Sequence, residues 1–216
     1  MATRGSFIAL EGLDGAGTTT QAARLSTHLE RAGFTVLRTQ QPSKRSIGAA
    51  IRDHLRALDH PLDPRALALL FAADRIDHVA SEITPALARG EIVVCDRYVL
   101  SSWAYQGLDC DPAWVRAINV HAPWPDLTLV LELPAEVACA RVAARAGKGE
   151  IFDALATQRR VEAAYAAALR EGLPGVVAID GTAGPDAVTD ALVHALEVLP
   201  QLRAAAETGG RPRAIP

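Results

Sequence analysis

Short apolar runs alternate along the chain with longer stretches whose apolar positions recur every three to four residues. Five runs read as strands: FIALEG (7–12), FTVLRT (34–39), EIVVCDRY (91–98), DLTLVLEL (126–133) and GVVAID (175–180). The third is almost continuously apolar, which places it inside a sheet. Helical periodicity covers 18–32, stopped at Gly33, and 47–58, after a loop around Pro42. A long helix is predicted over 64–89, bent at Pro85, with Gly90 beyond its end. Shorter helices follow near 100–106 and 111–121, and Pro134 opens the next one. The segment AGKGEIF (146–152) breaks the helical pattern and reads as a mobile loop, after which 153–171 and 184–198 are helical again. This alternation predicts an α/β fold, a five-stranded parallel sheet with helices on both faces. One domain over 1–203 is expected, with a poorly ordered tail from about 203.

Charge narrows the class of ligand. The chain has 22 basic and 25 acidic residues, a net charge of −3, so no nucleic-acid surface and no attraction to an anionic membrane is expected. The only lysines are Lys44 and Lys148. Phosphate binding therefore falls to local arginines and backbone amides. Cys95, Cys110 and Cys139 form no CxxC pair, and the histidines show no metal spacing, which argues against a disulfide framework or a zinc site. The opening MATRGSFIALEG is too interrupted for a signal peptide, and no stretch approaches a membrane span. A reducing cytoplasm is the expected location.

The first strand runs into GLDGAGTTTQ (12–21) and then a helix. That is the context a phosphate loop requires. Glycines let successive N–H groups turn inward around a phosphate, and the helix N-terminus adds partial positive charge. The candidate ATP-binding positions are Gly12, Gly15, Ala16, Gly17, Thr18, Thr19 and Thr20, with the Thr19 hydroxyl placed to hold Mg²⁺. Thr18 stands where GxxxxGK[ST] calls for lysine. The motif alone leaves both a nucleotide loop and a glycine-rich turn open.

Further motifs follow in order: FAADR (71–75), DRY (96–98), SSWAYQG (101–107) and PDL (125–127). Together with EGLDGAG they make the chain resemble the thymidylate kinase family, over roughly residues 6 to 180. The resemblance implies a P-loop kinase that uses ATP and Mg²⁺ to phosphorylate dTMP, and a homodimer. It implies that Asp14 contacts the sugar 3′-hydroxyl and organises the transferring group. Phe71 stacks on the thymine ring, and Arg75 reaches the acceptor base and phosphate. Asp96 lies near the metal, and Arg97 sits between donor and acceptor phosphates. Ser101, Tyr105 and Gln106 line the nucleoside pocket, and Arg45 grips the acceptor phosphate. A lid over 141–153 brings Arg141, Arg145 and Lys148 to the ATP phosphates, which suits a loop with Gly15 in place of arginine. Read without the family, the roles also make sense: phosphoryl transfer needs alignment and charge neutralisation, and guanidinium forks supply both.

Departures from the family pattern are Thr18, the pair Gln40 and Gln41 where two charged residues are usual, and Glu132 in place of aspartate. Loss of one preorganised cation typically lowers rate by about two to three orders of magnitude. Two alternatives stand beside the dTMP kinase: a weakened or non-catalytic nucleotide-binding relative, and a kinase for another deoxynucleoside monophosphate. The plain readings also stand. Arg75 would pair with Asp74 or Asp77 on the surface, and Phe71 would be core packing.

Overall fold

The computed structural model describes residues 4–56, 61–146, 151–200 and 202, without the side chains at 145–146 and 151–154. Its sheet has five parallel strands in the order β2-β3-β1-β4-β5. These are β1 (Phe7–Gly12), β2 (Val36–Gln40), β3 (Ile92–Asp96), β4 (Leu127–Glu132) and β5 (Val176–Asp180). Every residue of β1 and β3 is buried, so both faces of the sheet are covered. Helix α1 (Thr18–Arg31) packs beside α9 (Pro185–Ala195), and α5 (Val99–Tyr105) packs beside α8 (Ile151–Arg170).

Each expected strand forms, the first with the bounds expected and the others with ends shifted by one or two residues. The expected 91–98 strand stops at Asp96 because Arg97 takes a left-handed φ of 68°. Its N–H still donates to the Leu10 carbonyl at 2.8 Å, so the chain leaves the sheet while tethered to β1. The C-terminal ends of β1, β2 and β3 meet there, where open α/β sheets bind ligands.

The long helix over 64–89 comes in three parts. Helix α3 (Pro64–His78) starts at Asp63, whose carboxylate accepts from the Arg65 N–H at 2.8 Å. A π turn (Val79–Ile83) follows, then α4 (Thr84–Ala88). The expected bend at Pro85 takes the form of this wider turn: the Thr84 N–H donates to Val79, five residues back, just ahead of the proline that has no N–H to give. Helix α2 (Ser46–Arg56) packs on α3. Helix α6 (Pro112–Ile118) is shorter than expected, and α7 (Ala135–Ala146) runs further than expected. Of the expected 146–152 loop, 147–150 lie outside the described residues, as does the tail from 203. No helix among the described residues is long and apolar enough to cross a membrane.

Candidate active site

The loop between β1 and α1 is shaped by glycines at left-handed angles. Gly15 has φ 96°, and a Cβ there would overlap the carbonyl oxygen of Ala138. The backbone of α7 thus rests directly on the loop, which is why no arginine can stand at this position. Gly17, also at φ 96°, caps α1, and no acidic residue lies in that helix's first turn to compete with a bound anion. Thr18 is buried at the start of α1.

Thr19 and Asp96 are brought together from opposite ends of the motif set. The Thr19 hydroxyl donates to Asp96 Oδ2 at 2.5 Å. Asp96 Oδ1 is buried and has no hydrogen-bond partner among the described residues. A hydroxyl and an orphaned carboxylate oxygen beside a phosphate loop suit Mg²⁺, which commonly takes one or two protein oxygens and completes its shell with water and phosphate. No cluster of three or more His, Cys, Asp or Glu side chains suited to a metal occurs among the described residues.

Arg97 spans the mouth of the loop. Its Nη1 donates to the Gly12 carbonyl at 3.0 Å, and its Nη2 donates to Asp14 Oδ1 at 2.6 Å. The guanidinium carbon lies 5.2 Å from the centre of the Tyr105 ring. Burial opposes its charge, but Tyr105, Tyr165, Asp14 and Glu11 outweigh that and hold its pKa above the usual arginine value. The Tyr105 hydroxyl accepts from the Asp14 N–H at 3.0 Å, and burial pushes the phenol up to about 12. Asp14, Arg97 and Tyr105 therefore form one rigid group. A non-glycine residue at positive φ costs of order 1–3 kcal/mol, and such strain clusters at ligand sites.

Below this group lies a carboxylate that sequence reasoning missed. Glu11 is 0 % exposed and accepts from Ser101 Oγ at 2.5 Å, Tyr165 Oη at 2.9 Å and the N–H groups of Tyr98 and Ser101. The Ser101 hydroxyl is thereby directed to Glu11. Helix α8 adds a second missed residue: Gln158 Nε2 lies 3.4 Å from Asp14 Oδ2, and its buried Oε1 has no partner among the described residues. Glu11 was marked only as a polar residue in an apolar run, and Gln158, between Thr157 and Arg159, carried no signal.

Helix α3 carries Phe71, half-buried, and Arg75 one turn later. Arg75 is not the surface residue of the plain reading, because it is 2 % exposed. Asp74 instead accepts from the Ser43 N–H at 2.7 Å and its hydroxyl at 2.6 Å, and Asp77 pairs with Arg45 at 2.5 Å. Arg75 donates to Gln41, Asn119, the Tyr98 carbonyl and the Ser102 hydroxyl. Asn119 and Ser102 carried no expectation, and Gln41 was singled out only as a departure from the family pattern, since each is distant in sequence from Arg75. The Gln106 side chain makes no hydrogen bond among the described residues. Arg141, on α7, donates to the carbonyls of Gly181 and Thr182 at 2.9 and 3.2 Å. Lys148 lies outside the described residues, and of Arg145 only the backbone, in α7, is described.

The glycine loop, the Thr19–Asp96 pair and Arg97 thus lie together at the C-terminal ends of β1 and β3. Comparison with known proteins gives the family. The family model for thymidylate kinase matches residues 10–192. A thymidylate kinase of Thermomicrobium roseum is 44% identical over 193 residues, 86% of this chain and 91% of the relative. A probable thymidylate kinase of Pyrococcus abyssi is 43% identical over 169 residues, 75% of this chain and 82% of the relative. A thymidylate kinase of Solidesulfovibrio magneticus is 40% identical over 200 residues, 86% and 96% of the two chains. The chain belongs to the thymidylate kinase family.

Proposed function

We propose that the protein transfers the γ-phosphoryl group of ATP to dTMP, giving ADP and dTDP. The observation that carries this reading is Arg97, fixed between the Gly12 carbonyl and Asp14 beside the phosphate loop. From there one guanidinium can span donor and acceptor phosphates, and its geometry is set before substrate arrives. The loop N–H groups and the α1 N-terminus hold the ATP phosphates. Thr19 and Asp96 would hold Mg²⁺, whose contribution when bound is to neutralise charge on the β- and γ-phosphates. Asp14 takes the sugar 3′-hydroxyl, and Phe71 stacks on the base. Tyr105, Ser101 and Gln106 shape the nucleoside pocket, with Arg45 and Arg75 supplying acceptor-side charge. Arg141, Arg145 and Lys148 act from the lid.

Homodimerisation is part of the same reading. Leu69 and Ile76 lie seven residues apart on one face of α3 and are half exposed, with Leu55 on α2 and Leu62 just before α3 also exposed. Thr18 supports a second reading, a relative that binds nucleotides but turns over weakly. ADP formation with Mg·ATP and each of dTMP, dUMP, dCMP and dGMP tests both. Turnover with dTMP preferred supports the kinase. Preference for another monophosphate moves the acceptor assignment, and protection against thermal unfolding by dTMP without turnover favours the second reading.

A further inference from the structure

Arg75 is a buried cation with no carboxylate touching it. Its Nε–H donates to Gln41 Oε1 at 2.8 Å, and its Nη2 donates to the Tyr98 carbonyl at 3.1 Å and to Ser102 Oγ at 3.0 Å. One Nη1 N–H donates to the Asn119 side-chain oxygen. A guanidinium carries five N–H groups, so one Nη1 N–H is left without a partner among the described residues. Every hydrogen-bond acceptor around it is neutral; the guanidinium carbon also lies 5.4 Å from the centre of the Tyr98 ring, and Glu11 and Asp74 act on its charge from beyond hydrogen-bond contact.

The orientation of Gln41 is decided one step further out. Gln41 Nε2 lies 3.2 Å from His78 Nδ1, and His78 Nε2 lies 2.8 Å from Thr39 Oγ1 and 3.2 Å from Glu82 Oε2. With Oε1 accepting from Arg75, the Gln41 amide must offer N–H groups to His78. His78 Nδ1 must then be an acceptor, and the ring proton sits on Nε2, facing Thr39 and Glu82. A protonated ring would set Nδ1–H against the amide N–H groups. Rotating the amide to relieve that would set its N–H groups against Arg75, which cannot lose its proton. The two ends cannot both be satisfied by one amide.

We propose that Gln41, oriented by neutral His78, is a positioning residue that fixes Arg75 for the acceptor nucleotide, and that this setting fails when His78 takes up a proton. The inference rests on the reading of Arg75 as an acceptor-site group. The His78 ring is 0 % exposed, and burial holds its pKa below the ordinary histidine value. Glu82 and Asp74, on the same helical run, favour the cation, while Arg45, near the start of α2, opposes it. Strand β2 faces the ring with the Thr39 hydroxyl alone. At neutral pH the relay is set, and it comes apart on acidification below the usual histidine range.

The test is dTMP affinity by calorimetry from pH 7.5 to 5.0 for the full chain and two variants. In Gln41→Glu the carboxylate accepts from Arg75 and from a protonated His78 together. In His78→Asn the amide can accept from Gln41 and cannot titrate. Ionisation of the dTMP phosphate is common to all three proteins and cancels. The unaltered protein is expected to lose about tenfold more affinity across this range than either variant, the loss of one charge-assisted hydrogen bond. The loss falls on KM for dTMP rather than on kcat. Parallel pH curves in the three proteins overturn the inference. Arg75→Lys at pH 7.5 separates this from failure of the underlying reading. Unchanged dTMP affinity there removes Arg75 from the acceptor site, whereas a drop combined with parallel curves removes only Gln41 and His78. Should that variant not fold, the NMR response of the Arg75 Nε–H to dTMP in the unaltered protein gives the same distinction.

Discussion

The acceptor side keeps its cation enclosed, with Arg75 held by four neutral acceptors, whereas the loop side keeps Arg97 at the mouth, tied to a carboxylate and a loop carbonyl. Enclosure gives Arg75 fixed geometry with neutral hydrogen-bond partners. A position at the loop mouth is what the proposed role of Arg97, spanning both phosphate sites, requires. The loop itself has Thr18 where its own cation is usual, so the proposed function makes the loop side depend on Arg97 more heavily than a loop with lysine would.

Breaking the loop side should have the largest effect. Arg97→Ala is expected to lower kcat/KM for dTMP about a thousandfold, read from steady-state ADP formation, because no other described side chain spans the loop mouth. A loss below tenfold would mean that the lid carries the charge instead. Glu11→Ala comes next. It removes the acceptor shared by the Tyr165 and Ser101 hydroxyls and the N–H groups of Tyr98 and Ser101, leaving the two hydroxyls only each other as acceptors, and should cost about 3 kcal/mol of stability in urea unfolding. Phe71→Ala should raise the Kd for dTMP about tenfold while leaving ATP affinity unchanged, since stacking is worth about 1 kcal/mol beyond burial. Equal weakening of both ligands would place Phe71 in the core rather than in the pocket. Arg45→Ala is the mildest. Its pair with Asp77 is exposed to solvent and screened, so stability should hardly move. The effect expected is a severalfold rise in KM for dTMP.

The strands were legible because a parallel sheet buried on both faces demands apolar runs, and FIAL (7–10) and IVVC (92–95) carry that signal without interruption. Their ends were less legible. Nothing in DRY announces that Arg97 leaves β3 at a positive φ, since the angle comes from the tether to Leu10 and Gly12. The pairing of Thr19 with Asp96 follows from two motifs that had to meet if the loop bound a nucleotide. The enclosure of Arg75 was not legible. An arginine between two aspartates on a helix reads as surface, and its partners come from β2's exit, α5 and the end of α6. Gln158 was hidden for the same reason, being 144 positions from the aspartate it faces. Periodicity reports which face of an element is buried. It does not report which polar group waits on the other side.

The measurement that tests the central claim most directly is dTMP-dependent ADP formation from Mg·ATP by the unaltered protein, beside Thr18→Lys. Measurable turnover by the unaltered protein, with a higher rate in Thr18→Lys, is the predicted result: a complete kinase site in which Arg97 and the helix N-terminus stand in for the loop lysine. Silence from both proteins, with dTMP still bound, would contradict it and leave a nucleotide-binding protein on a kinase fold.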